Sequence, residues 1–310
     1  MTGLIALDWG TSSLRAFRFD GAGRLDETRA RPWGIRHLPE GGYDAALAGI
    51  TAGWPTLPRV ACGMVGSRHG WREMPYLDLP ANAAQLAGAL GTVRAADGLD
   101  VHLVPGLRDA RGPDVMRGEE TQLIGAMALR PALAAAGTFI LPGTHSKWAT
   151  VRDGAVTGFR TLMTGELFAV LRQHSILGAT GVDAADDIDA FARGVAAARD
   201  SAAAGALSRL FSARALMLDG ALAPGSVPDY LSGLLIGEEF RSALAEGLAQ
   251  RAAPLQLIGD DALCGRYRRA AALFDIELPP PIPDAAAHGL WQLAMQAGLV
   301  PSVAEESCAC

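Results

Sequence analysis

Two short loops rich in glycine and hydroxyl side chains hold the residues best suited to chemistry. Gly10-Thr11-Ser12-Ser13 and Gly143-Thr144-His145-Ser146 stand at a constant offset of 133, and six of twelve positions agree when residues 10–21 are laid over 143–154. Glycine lets the backbone approach a ligand closely, and main-chain N–H groups and hydroxyls in such a turn converge on phosphate oxygens. A single Gly-Thr-Ser turn is a common hairpin connection. Its duplication together with its surroundings points to two loops gripping a polyphosphate from both sides of a cleft. The copies differ in charged chemistry. Asp8 ends the first apolar run two residues before its glycine, where the second copy has Leu141. One acid suits a single Mg2+ near the β- and γ-phosphates, held largely through water. The second copy instead carries Lys147, a compact positive charge able to offset charge on the phosphates during transfer.

The elements that must position these loops are legible around them. Each copy starts with a short apolar run, Leu4 to Leu7 and Phe139 to Leu141, of the length of a buried strand. The glycine loop, a second strand, an Asp-Gly turn at 20–21 or 153–154 and a third strand follow. The chain therefore reads as two related halves. Downstream, Pro254 to Ile258 predicts a strand before Gly259-Asp260-Asp261, and Leu263 to Ala272 a helix. Ser232, Gly233 and Gly237 fall in a predicted helix, where the glycines serve close packing. Residues 178–230 are alanine-rich and helical, with Asp183, Asp186, Asp187 and Asp189 read as a solvated face. Pro279 to Pro283 is a stiff extended link, after which Asp284 is expected to cap a helix running to about Gln296.

Composition narrows the partners. With 27 Lys plus Arg against 33 Asp plus Glu, the net charge of -6 offers no global attraction to nucleic acid or an anionic membrane. No apolar run reaches the roughly 20 residues of a bilayer span. The start of the chain lacks a basic leader region, so a cytoplasmic location is expected. Cys62, Cys264, Cys308 and Cys310 have neither zinc-site spacing nor the number needed for a disulfide framework, and the last two are expected in a loose tail.

The segment Leu7-Asp8-Trp9-Gly10-Thr11-Ser12-Ser13-Leu14-Arg15 resembles the first phosphate motif of actin-like sugar kinases, and Leu141-Pro142-Gly143-Thr144-His145-Ser146-Lys147-Trp148 resembles their second. Together with residues 63–67, 115–126, 163–167 and 231–237, they make the chain similar to the 2-dehydro-3-deoxygalactonokinase family from about residue 3 to about residue 298. The resemblance implies an α/β, actin-like ATPase (ribonuclease H-like) fold, with two related domains of mixed β-sheets flanked by helices and a cleft between them. It implies ATP and Mg2+ as cofactors and phosphorylation of the terminal hydroxyl of 2-dehydro-3-deoxy-D-galactonate in galactonate breakdown. The epimeric gluconate derivative, or a phosphohydrolase of the same superfamily, is the alternative. Partners are then the sugar acid and ATP, without nucleic acid or membrane, and with a homodimer left open.

The same resemblance assigns nucleotide contacts to Gly10, Thr11, Ser12, Ser13 and Arg15, to Gly143, Thr144, His145 and Ser146, and at the adenosine to Gly259. Phosphoryl transfer also needs a carboxylate to take the proton of the attacking hydroxyl. Glu119 and Glu120 open a segment with apolar residues at Leu123, Ile124 and Met127, an amphipathic helix, and related kinases place a catalytic acid at the start of the equivalent helix. Glu166, after Thr164-Gly165, opens another helix and is either a base or a ligand of sugar hydroxyls. The carboxylate of a sugar acid calls for an arginine fork. Arg117 fits, as does Arg68, which follows Ser67 in a glycine-rich stretch ending at Trp71, whose ring suits the sugar chain. A final helix that crosses back, as in actin-like folds, predicts an N-terminal domain of residues 1–128 plus about 285–300, and a second domain of 129–284, closing around the substrates.

Overall fold

The protein is described by a computed structural model covering residues 3–178, 186–248 and 254–301. Asp183, Cys308 and Cys310 lie outside the described residues. The chain divides into two compact units. The first takes the described residues up to Ala136, then Val151–Phe159, then those from Asp284 on; the second takes Gly137–Thr150 and Arg160–Pro283.

The first unit opens with the meander β1 (Gly3–Trp9), β2 (Leu14–Asp20) and β3 (Leu25–Arg31), β1 and β2 running antiparallel from Gly3↔Asp20 to Trp9↔Leu14. After α1 (Gly42–Ile50), β4 (Arg59–Cys62) adds in parallel to β1, ending with Asp8 beside Cys62. Next come β5 (Tyr76–Asp78), β6 (Ala81–Asn82), α2 (Ala83–Gly88), β7 (Gly91–Arg94), β8 (Asp100–Leu103), β9 (Gly106–Asp109) and β10 (Asp114–Met116). They complete a mixed six-stranded sheet in the order β3-β2-β1-β4-β8-β7 and a three-stranded sheet β10-β9-β5. Helices α3 (Glu119–Leu129) and α4 (Ala132–Ala135) follow. β1 is central and almost wholly buried, and Asp8 is its one residue that keeps partial exposure. Ile5, Leu7, Trp9 and Leu14 pack with Leu47, Ile50, Val101 and Leu103 into one core.

The three-strand pattern then repeats as β11 (Ala136–Leu141), β12 (Ser146–Arg152) and β13 (Ala155–Leu162). The predicted Asp-Gly turn joins the last two, with Asp153 at φ 50° and Gly154 at φ 74°. The first copy's turn is longer, since Asp20 accepts from the backbone N–H groups of both Ala22 and Arg24. The stretch 151–159, which the sequence reading gives to the second domain, counts with the first unit, because Ala155 and Val156 of β13 pair with Asn82 and Ala81 of β6.

The second unit is completed by α5 (Thr164–His174), α6 (Ile188–Arg199), α7 (Ser212–Leu218), α8 (Val227–Ala245), β14 (Leu255–Leu257) and α9 (Asp261–Ala272). β14 lies parallel to β11. Gly233 of α8 faces the Phe191 carbonyl, where a Cβ would stand 2.0 Å from the oxygen, so this glycine allows α6 and α8 to cross in contact. Ile140, Trp148, Phe240, Leu257 and Tyr267 form the core between sheet and helices.

The chain ends its described course as α10 (Ala285–Gln296), within the first unit. It lies on α3 at a glycine crossing: a Cβ on Gly125 would come within 1.8 Å of the Ala285 carbonyl oxygen, and one on Gly289 within 1.9 Å of that of Thr121. Asp284 precedes the helix as expected, yet it sits at φ 51° and its side chain makes no cap bond, so its capping role is corrected. Among the described residues no helix is long and apolar enough to cross a membrane.

Candidate active site

In the first unit, the carboxyl ends of the parallel strands β1 and β4 meet the start of α3, the position at which open α/β sheets place ligands. Asp8 is 15% exposed at the side chain. Its Oδ2 accepts from Arg15 Nε at 3.2 Å and from Nη2 as well, and its Oδ1 faces the Cys62 thiol at 3.9 Å. Burial and the neighbouring Asp8 and Glu120 carboxyls push that thiol well up, so Cys62 stays protonated. Gly63 (φ 90°) and Gly118 (φ 105°) both need left-handed backbone here, and they touch: a Cβ on Gly118 would lie 3.3 Å from Gly63 Cα. A Cβ on Gly63 would lie 3.5 Å from Asp8 Oδ1. Two glycines thus let the first turn of α3 come up against Asp8.

The adjacent acids of that turn have different surroundings. Glu120 is fully buried, its Oε2 accepting from the Gly118 N–H at 2.6 Å and its Oε1 from the Thr121 hydroxyl at 3.0 Å. Burial, and then the nearby Glu119, raise its carboxyl to about 8. Glu119 keeps partial exposure, and its Oε2 accepts the Arg117 N–H at 3.0 Å. Of the two, only Glu119 keeps solvent-accessible surface.

The first loop is braced from behind. Gly10 N–H donates to the Ser13 carbonyl, and Ile35 and Arg36 N–H groups donate to the carbonyls of Gly10 and Thr11. Ser12 and Ser13 are left exposed. Arg15 turns to Asp8 instead of outward to a ligand. Nearby, Arg117 lies 4.5 Å from the Tyr76 ring centre and donates from Nη2 to the Met74 carbonyl at 2.7 Å. Its Nε and Nη1, and the Ser67 hydroxyl, are buried with no hydrogen-bond partner among the described residues. Gly66 joins the two, since its Cβ position is 3.1 Å from Arg117 Nη1. Arg68 is exposed. One face of Trp71 is already stacked on Tyr43, with centroids 5.3 Å apart, and its edge meets Trp9.

In the second unit, the second loop rests on the first turn of α5. Glu166 N–H donates to the Thr144 carbonyl at 3.0 Å, and Gly165 has no room for a Cβ, which would stand 2.5 Å from the Gly143 carbonyl oxygen. The positive end of an 11-residue helix therefore lies beside the loop, a favourable place for anionic oxygens. His145 Nε2 and Glu166 Oε2 are in direct hydrogen-bond contact, both about half exposed. Lys147 differs from expectation. It is only 3% exposed and its Nζ donates to the His145 carbonyl, so it steadies the loop backbone. Ser146 is likewise buried, bonded to Tyr267.

Beside this loop opens a cavity of about 780 Å³ lined by Pro142, Gly143, Thr144, Thr164, Leu263 and Arg266, among others. Asp229 and Ser232 also line it, and Arg266 donates to both. Gly259, at φ 153°, packs against Pro142 and Cys264, so the neighbouring Asp260, not the glycine, reaches the wall. Asp229, Ser232, Arg266 and Tyr267 escaped sequence reasoning as lining residues, since they lie on helices that read as ordinary packing.

A family model of 2-keto-3-deoxy-galactonokinase matches residues 8–293. The chain is 41% identical over 254 residues to the probable 2-dehydro-3-deoxygalactonokinase of Rhizobium meliloti, covering 77% of this chain and 80% of that protein. It is 38% identical over 270 residues to the 2-dehydro-3-deoxygalactonokinase of Escherichia coli, covering 86% and 88%. A crystal structure of a protein from Sinorhizobium meliloti described as a 2-dehydro-3-deoxygalactonokinase superposes with a TM-score of 0.84 at 36% identity, over 94% of this chain and 98% of that one. Solved structures only 12–13% identical, at TM-scores of 0.50–0.51, share the fold alone, which is the actin-like ATPase fold with mixed sheets flanked by helices. By its motifs, its fold and its relatives, the chain belongs to the 2-keto-3-deoxy-galactonokinase family.

Proposed function

We propose that the protein transfers the γ-phosphoryl group of ATP to the terminal hydroxyl of 2-dehydro-3-deoxy-D-galactonate, giving the 6-phosphate, as a cytoplasmic step of galactonate breakdown. Family membership supports the reaction. The observation that carries its chemistry is the meeting of Asp8 with the first turn of α3 across Gly63 and Gly118, which puts an accessible carboxylate, Glu119, in the same corner as Asp8.

In this reading the second unit holds the nucleotide, with adenosine in the cavity beside Leu263 and Arg266 and phosphates at the exposed Thr144 and His145 of the second loop, beside the start of α5. The first unit holds the sugar acid. Arg117 and Ser67 offer buried donors to its carboxylate, and Glu119 takes the proton from the 6-hydroxyl, whereas Thr164 and Glu166 lie in the second unit beside the second loop. The bond from O6 to the γ-phosphorus forms as the bridging oxygen leaves with ADP, and the hydroxyl proton ends on Glu119.

Mg2+ is implied by the same reading. Among the described residues no three His, Cys, Asp or Glu side chains cluster as a metal cage. Mg2+ keeps several waters and takes one or two carboxylates along with substrate phosphates, and Asp8, 15% exposed at the side chain, is one such carboxylate. Asp8 would hold it, and when bound it would neutralise charge on the phosphates.

The test couples ADP formation to a visible readout with 2-dehydro-3-deoxygalactonate, its gluconate epimer or no sugar acid. Turnover confined to the galactonate derivative supports the proposal. ADP release indifferent to sugar acid would overturn it.

A further inference from the structure

A buried chain of hydrogen bonds in the second unit runs from the second loop to a carboxylate that no motif pointed to. Gly143 N–H donates to Ser146 Oγ at 3.4 Å, Ser146 Oγ and Tyr267 Oη are 2.7 Å apart, and Tyr267 donates to Glu239 Oε1 at 2.5 Å. The indole N–H of Trp148 donates to Glu239 Oε2 at 3.0 Å, and the Thr164 hydroxyl bonds to the same carboxyl. Glu239, Ser146 and Trp148 are wholly buried and Tyr267 is 1% exposed.

The donor chemistry gives this chain a direction. An indole N–H can only donate, so Oε2 must accept. Oε1 accepts from Tyr267, and the Ser146 hydroxyl also bonds to the carboxyl, so donors of the loop and of α9 converge on Glu239 while Ser146 Oγ accepts from the Gly143 amide. Burying a carboxyl only to fill space is costly, since α8 would pack around an apolar residue of that size equally well. Glu239 stands behind the cavity wall: its donors Thr164 and Tyr267 line the cavity, as does Gly143, which is bonded to Ser146.

We infer that Glu239 is a positioning residue for the nucleotide, which sets the second loop through Tyr267 and Ser146 without touching the ligand itself. The inference rests on the reading of Gly143 to Ser146 as a phosphate loop.

Its test uses the full chain and the variants Glu239→Gln and Ser146→Ala, with three readouts: melting temperature, ADP affinity by calorimetry without sugar acid, and the separate KM values of the kinase assay. Gln places an N–H2 donor against either Trp148 or Tyr267, and Ala cuts the chain beside the loop. Both variants should weaken ADP binding and raise KM for ATP by about tenfold, with KM for the sugar acid within about twofold of wild type. The double variant should be no worse than the stronger single one, as for residues acting in series. If Glu239→Gln does not fold, Tyr267→Phe, which removes the hydroxyl linking Glu239 to Ser146 without altering the loop's own residues, takes its place with the same expected outcomes. Unchanged ADP affinity in a folded variant overturns the inference, as does a parallel loss for both substrates that follows a lowered melting temperature. Should wild type bind ADP but make no phosphorylated sugar acid, the proposed reaction fails while the binding comparison still stands.

Discussion

Asp8 and Arg15 are direct cross-strand partners in the first hairpin, and the Arg15 guanidinium grips Asp8 Oδ2 while Oδ1 stays on the other side, toward Cys62 and Gly63. The arginine therefore fixes the orientation of the carboxylate expected to hold Mg2+. Asp8→Ala should lower kcat/KM by about 100- to 1,000-fold. Arg15→Ala should cost less, about tenfold, and most at limiting Mg2+. A Mg2+ titration of both variants checks this; an Arg15→Ala curve that overlies wild type would remove the orienting role.

The two acids of α3 should separate by experiment. Glu119→Gln should lower kcat by about 100- to 10,000-fold, as for loss of a general base, with little change in melting temperature. The readout is kcat beside a thermal melt, and a Glu119→Gln enzyme of normal kcat would shift the role elsewhere.

Glu120 predicts a pH effect on stability. Its folded carboxyl stands at about 8 against 4.5 for the ordinary group, because burial favours the neutral form. A raised value means the fold holds a proton that the unfolded chain gives up, so this contribution is full below about pH 4.5 and is lost as pH rises to about 8. Wild type should therefore lose stability relative to Glu120→Gln between pH 5 and 8, at a slope of at most about 1.4 kcal/mol per pH unit. Urea melts at four pH values test it, and parallel curves for the two proteins would contradict it.

Arg117→Lys keeps the charge but loses the planar fork. The expected outcome is a KM for the sugar acid raised by about 10- to 100-fold, with KM for ATP within about twofold. Equal changes in both KM values would instead mark Arg117, with its bond to the Met74 carbonyl, as a brace of the first unit.

Gly165→Ala forces a methyl against the Gly143 carbonyl. It should destabilise the protein by about 1–3 kcal/mol and raise KM for ATP more than KM for the sugar acid. A variant with unaltered ATP kinetics would show that the loop and α5 move independently.

The sequence by itself determined the two glycine loops, the strands on either side of them, the helices opening at Glu119 and near Glu166 and Leu263, and the family. These are local signals: turn residues, short apolar runs and helical periodicity each act over a few neighbours. Tertiary structure alone decided which polar groups face each other. Lys147 looked like a loop lysine, but β12 is covered on both faces through residues 146–149, so no alternation reveals where that side chain points. Glu119 and Glu120 are adjacent in the chain, and only the packing of α3 buries one and leaves the other accessible. The bonds from Trp148 and Tyr267 to Glu239 span 91 and 28 residues, and that from Ser146 to Tyr267 spans 121. No local pattern encodes such pairings, because the helices and strand that bring them together are set by apolar burial, which is blind to the polar partners it encloses.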